Sequence, residues 1–144
     1  MNLMVKTESA PQSRVLIAGF GQDSDNTQDN GTARYFAVRP NGIDFWVGGA
    51  EVNTISPLDP GRWQMLTATF NGKTVSLYKD AELIVKKDMH FDGDNIARVS
   101  VGPVDPWEKQ NRFAGNVREF TIRRCALTDG DIKALFAKTQ PANP

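Results

Sequence analysis

Residues 62–83 read RWQMLTATFNGKTVSLYKDAEL, and their period decides the fold class. From Trp63 to Phe70 and again from Thr74 to Tyr78, apolar and β-branched residues recur at a spacing of two, which marks half-buried strands. Between them stands Asn71-Gly72, a hairpin signal, because tight primed turns need the positive φ that Asn and Gly tolerate. The stretch is an antiparallel β-hairpin.

Outward from this hairpin the same period recurs. Arg14 to Phe20, Arg34 to Val38 and Ile43 to Val47 precede it as strands, with Asn41-Gly42 as a second hairpin signal. Leu83 to Lys87, Ile96 to Val101 and Val117 to Arg123 follow it, and Leu3 to Thr7 reads as the first strand of all. Many short strands with closely spaced turn signals mean a sandwich or a barrel, not a βαβ fold. In the last strand Phe120 and Ile122 alternate toward the core while Val117 is out of phase. A bulge between Val117 and Phe120 repairs the phase. Trp63, Phe120 and Ile122 are expected in the core, with no ligand role.

One helix stands apart. Thr128 caps it, Asp131 three residues on completes a capping box, and Leu127 with Ile132 forms a hydrophobic staple. Ile132, Leu135 and Phe136 share a face that should lie against the sandwich. Gly21 to Gly31 carries no apolar side chain and reads as a solvated loop. A single domain is expected over 1–138, with a Pro-containing flexible tail over 139–144.

The chain has 144 residues, 40% hydrophobic, 9% aromatic and 24% charged, the balance of an ordinary folded domain. Its 17 basic and 17 acidic residues cancel, which argues against nucleic acid or an anionic membrane as a partner. Arg118, Arg123 and Arg124 crowd one segment and read as the solvated face of a strand. The lone Cys125, at the end of an apolar strand, reads as a small buried hydrophobe and excludes an internal disulfide. The opening MNLMVKTE lacks the layout of a secretion signal, and no run approaches the ~20 apolar residues of a membrane span.

From Trp63 onward the order of features resembles the laminin G-like jelly-roll domains of the concanavalin A-like lectin/glucanase superfamily. The text that carries the resemblance is RWQMLTATFNGKTVSLYKDAEL, then ARVSVGP, then RFAGNVREFTIRRCALTDGDIKALF. These give a Trp-led strand, an Asn-Gly turn, a strand followed by Gly, a Phe-x-Gly segment and an Ala-Leu-Thr link to a helix. Two departures stand out. Asp80-Ala81 occupies a turn where the family has Asp-Gly, so strain is expected there. The family also places strands before the one at Leu3 to Thr7. The apolar run Leu3, Met4, Val5 is therefore expected on an open edge, covered by self-association as a homodimer.

The resemblance implies an all-β, two-sheet antiparallel jelly-roll sandwich with a short C-terminal helix. Glucanases of the superfamily place paired carboxylates at alternate positions of one strand. Here Glu51 and Glu119 each lack a same-face acidic partner on their own strand, and the single His90 reads as an exposed loop residue, so no enzyme is expected. Some members of the fold bind calcium at loop ends. Asp23, Asp25 and Asp29 in one loop, and Asp92, Asp94 and Asn95 in another, offer the hard oxygens that calcium takes. Trp46 and Trp107 are the candidate sugar-stacking rings, with Phe45 and Trp46 facing opposite ways on one strand. Tyr35, Arg34 and Asn41 are flanking polar candidates. The expected function is non-catalytic recognition of a glycan or polysaccharide. The rival from another class is protein–protein adhesion or assembly through an exposed sheet edge. The family implies an extracellular or cell-surface setting, with a glycan or an extracellular protein as partner.

Overall fold

The strands succeed one another as β1 (Asn2–Thr7), β2 (Val15–Gly21), β3 (Arg34–Arg39), β4 (Gly42–Trp46), β5 (Glu51–Asn53), β6 (Gln64–Phe70), β7 (Thr74–Lys79), β8 (Glu82–Asp88), β9 (Arg98–Val101) and β10 (Gly115–Thr121). The helix α1 (Asp129–Thr139) closes the series. The structure, a computed structural model, describes residues 1–21, 33–48, 50–91, 98–105 and 111–139. The strands pair antiparallel in two five-stranded sheets, ordered β10-β1-β6-β7-β8 and β5-β4-β3-β2-β9. This is the two-sheet jelly-roll sandwich that the family resemblance implied, and it decides between the sandwich and the barrel that the strand period allowed.

The core lies between the sheets. Leu3, Val5, Leu66 and Leu77 of the first sheet face Ile17, Phe36, Ile43 and Phe45 of the second, all 5% exposed or less. Burial on this scale is the main driving term of folding, about 1.5–3 kcal/mol for each such side chain. Phe36 and Phe45 are cross-strand partners whose rings meet edge to face, with centroids 5.2 Å apart.

The outer face of the first sheet is covered by α1. Ile132 packs on Met4, Met65 and Tyr78, with Leu127, Leu135 and Phe136 around them, so the staple and the apolar helix face form as expected. The capping box forms as well. The Thr128 backbone N–H donates to Asp131 Oδ2 at 2.9 Å, and the Asp131 N–H donates to Thr128 Oγ1 at 3.2 Å.

This helix overturns the expectation for Leu3 to Thr7. β1 is an interior strand between β10 and β6, and Leu3, Met4 and Val5 are buried because both faces of the sheet are covered. A doubly covered strand reads as a continuous apolar run. The same parity corrects Trp63. Leu66 and Ala68 point inward, so Trp63 and Met65 point outward, and Trp63 lies half-buried beside the helix cluster under the Arg118 guanidinium, 4.3 Å from its ring centre. Phe120 does pack against the core, half-buried because β10 is the edge strand, whereas Ile122 lies half-buried beyond the strand's end at Thr121. Cys125, beyond that end, is exposed and not buried.

Other local expectations hold. Met4 pairs with Arg118 but Asn2 with Thr121, so β10 carries one extra residue, and Glu119 takes a φ of 56° at that bulge. The β6–β7 hairpin forms, but not through a two-residue primed turn: Phe70 pairs with Val75 across residues 71–74, only Gly72 takes positive φ (95°), and Asn71 Oδ1 accepts from the N–H groups of Lys73 and Thr74 to close the loop. The β3–β4 hairpin also forms, but Pro40 and Asn41 are its turn residues. Gly42 is needed for space, since a Cβ there would sit 2.0 Å from the Thr54 carbonyl oxygen. The short β5 had no legible period of its own.

Candidate functional site

The outer face of the second sheet is built by alternation. Tyr35, Ala37 and Arg39 point outward from β3, Asp44 and Trp46 from β4, and Glu51 and Asn53 from β5. The inward residues between them belong to the core. The register sets Tyr35 opposite Trp46, Ala37 opposite Asp44, Trp46 opposite Glu51 and Asp44 opposite Asn53.

Arg39 joins two acids on different strands. Its Nε donates to Asp44, and its Nη2 donates to Glu51 Oε2 at 2.6 Å. Arg14, just ahead of β2, reaches the other Glu51 oxygen through Nη1 at 3.0 Å and lies 3.5 Å from Asp105 through Nε. With its amide nitrogen turned toward the acids, Asn53 donates to Glu51 Oε2 at 3.2 Å and Asp44 Oδ1 at 3.3 Å. Asp44 and Asp105 have no exposed surface, whereas Arg39 and Glu51 keep 35% and 22% of their side chains open. Burial pushes the Asp44 carboxyl above its ordinary value, and the Arg39 charge and hydrogen bond oppose that shift. Deep carboxylates therefore pair with arginines that in turn hold a shallow carboxylate, and the Asn53 amide bridges the Glu51 and Asp44 carboxylates.

Beside this network lies an aromatic pair. The Tyr35 and Trp46 rings are 6.4 Å apart at 32°, among Leu16, Ala33 and Ala37. Gly19 makes room, since a Cβ there would sit 2.5 Å from the Tyr35 ring. Phe45 and Trp46 do face opposite ways, but Trp46 and Tyr35 are 2% and 3% exposed, so neither ring presents an open stacking surface. The structure brings these two candidates together and separates them from the rest. Arg34 faces the other side of β3, buried, with its guanidinium 4.3 Å from the Phe91 ring centre and Nη1 donating to the Ala33 carbonyl at 2.9 Å. Asn41 is exposed at the hairpin turn. Trp107, Asp23, Asp25, Asp29, Asp92, Asp94 and Asn95 lie outside the described residues. Among the described residues no group of three His, Cys, Asp or Glu side chains is set to hold a metal.

The sequence reading missed Arg14, Arg39, Asp44, Glu51, Asn53 and Asp105 as a unit. It sought a partner for Glu51 along the same strand, and the structure supplies Asp44 across the strands. One signal was available: Asp44 is an acid inside the apolar run IDFW, and a buried acid needs a paired cation.

A family model described as the concanavalin A-like lectin/glucanases superfamily matches residues 2–133. No curated protein matches the chain in sequence. Among solved structures it resembles a Bacteroides ovatus "putative carbohydrate binding protein" at 15% identity and a TM-score of 0.71, over 92% of this chain and 38% of that one. It resembles the heptameric SAP-like pentraxin of Limulus polyphemus at 14% identity and 0.67, over 94% of this chain and 67% of that one. It also resembles the Trypanosoma rangeli sialidase at 14% identity and 0.66, over 94% of this chain and 22% of that one. The chain thus spans under half of the first of these proteins, and at such identities the likeness is one of fold.

Proposed function

Starting from a chain that belongs to the concanavalin A-like lectin/glucanases superfamily, we propose that it is a non-catalytic recognition module that binds a glycan on the outer face of its second sheet. The observation that supports this reading is the shallow Arg39–Glu51–Asn53 array of planar side-chain groups, paired with the deeper Asp44 and Arg14. Adjacent sugar hydroxyls pair well with planar side chains that offer two donors or acceptors side by side. A rigid array avoids the ordering cost of binding. Arg39 and Asn53 together occupy Glu51 Oε2, whereas Oε1 is paired with Arg14, and that oxygen has a second lone pair for a hydroxyl.

The same contacts favour binding over hydrolysis. A glycosidase nucleophile needs an oxygen free to meet carbon, and its partner acid must reach the glycosidic oxygen. Both Glu51 oxygens are held by guanidinium groups, and Asp44 has no surface.

A glycan array probed with the intact chain tests the proposal. A bound glycan whose retention falls about tenfold in Glu51→Gln and in Asn53→Ala, at unchanged melting temperature, is the expected result. Retention indifferent to both variants, or an array with no bound glycan, sinks it.

A second reading, assembly through a sheet edge, is favoured by β9. Among the described residues it pairs only with β2, and Val99 and Val101 are 50% and 57% exposed. On this reading Val99→Lys with Val101→Lys converts a homodimer to a monomer in light scattering, and a wild-type monomer removes the homodimer.

A further inference from the structure

Asp44 has no exposed surface and so meets no ligand, yet it holds two of the three groups that form the shallow array. Arg39 Nε donates to it, and the Asn53 amide nitrogen donates to its Oδ1 at 3.3 Å. The register places it so. Asp44 stands opposite Asn53 on β5 and opposite Ala37 on β3, and Arg39, two residues beyond Ala37 on the same face, is its diagonal neighbour.

Both contacts decide what the surface offers. Asp44 and Glu51 each take an N–H from Arg39, so one positive charge is matched by two carboxylates. Arg39 Nη1 has no acceptor among the described residues and remains a donor. Held through its amide nitrogen, Asn53 turns its carbonyl oxygen away from both acids, which makes it an acceptor at an exposed position. Glu51 Oε1 is a second acceptor. Adjacent hydroxyls suit such a mixed set, because each both donates and accepts. A ligand carboxylate does not, since it has no hydrogen to give to Asn53 or Glu51. On Arg39 Nη1 it would also lie beside the Glu51 charge. We infer that buried Asp44 is the specificity-determining residue of the glycan site: by matching the Arg39 charge and fixing the Asn53 amide, it restricts the site to adjacent hydroxyls of uncharged sugars and excludes uronates. This rests on the glycan reading and names its substrate class.

The test is an array of gluco-, galacto- and manno-oligosaccharides, each beside its uronate counterpart, probed with the intact chain and with Asp44→Asn. The wild type should retain a neutral oligosaccharide over its uronate. Asp44→Asn, nearly isosteric, should shift that preference about tenfold toward the uronate at unchanged melting temperature, which lost packing alone does not do. Wild-type retention of the neutral ligand should also resist added salt, because an uncharged partner leaves nothing to screen; this holds the inference to account even if the variant fails to fold. A wild-type chain that prefers a uronate and loses it in Glu51→Gln overturns the inference and leaves the glycan reading standing. So does a folded Asp44→Asn with unaltered preference, or neutral binding that fades with salt. No bound oligosaccharide of either kind removes both.

Discussion

The Tyr78 hydroxyl donates to Asp129 Oδ1 at 2.7 Å, tying the outer face of the first sheet to the first turn of α1. Burial first, and then the Asp129 carboxylate, push the Tyr78 phenol up to about 12. A raised phenol stabilises the fold below its unfolded value near 10, and that contribution is lost as pH climbs from 10 toward 12. Tyr78→Phe should cost about 1 kcal/mol at neutral pH and flatten the alkaline limb of the stability curve. Denaturant melts across that range check both, and an unchanged alkaline limb refutes the linkage.

The β7–β8 hairpin carries the strain expected from Asp80-Ala81. Both residues have positive φ, 51° and 65°, as a primed turn demands. Asp80 suits the position, because its Oδ1 accepts from the Met65 N–H at 2.8 Å and its Oδ2 pairs with Arg62 at 2.7 Å. Ala81 has only the steric cost. Relief of ~1–2 kcal/mol exceeds the extra unfolded-state entropy of glycine, so Ala81→Gly should stabilise by about 0.5–1 kcal/mol. A lower urea midpoint would contradict the turn geometry.

Removal of Arg39 should leave Asp44 buried with a lost cation. Arg39→Leu is expected to cost about 2–3 kcal/mol at neutral pH, since half of a deep ion pair is worse than none. Without Arg39 the Asp44 carboxyl rises further, so the folded state holds its proton to higher pH and the penalty shrinks as pH falls. Melts of the variant at descending pH read this directly; a penalty constant with pH shows that Asp44 is not the cause.

The helix cap titrates in the opposite sense. The Thr128 hydroxyl, and then the Thr128 backbone N–H, hold the Asp131 carboxyl below its ordinary 3.8. Its stabilisation is present above that value and is lost as pH falls through the lowered one. Helix protection in hydrogen exchange should therefore fade on acidification, and Asp131→Asn should remove that dependence while sparing the sheets. An identical acid profile in the variant would assign the effect elsewhere.

What the sequence by itself determined is the set of features written within a few residues. The strand period around Asn71-Gly72, the Thr128–Asp131 box and the bulge at Glu119 were all readable, because alternation, capping and turn chemistry act over one to four positions. The face of Trp46 relative to Phe45 was readable for the same reason. Tertiary structure alone decided which neighbour each face received. Leu3 to Val5 looked like an open edge until α1, far along the chain, covered one side and β10 and β6 took both flanks. Arg14, Arg39, Asp44, Glu51 and Asp105 became one network only through the order β5-β4-β3-β2 and its register. Period two says that a side chain points up or down. Strand order, register and the closing of distant segments are settled by the packing of the whole core, and those long-range contacts leave no mark in the local pattern.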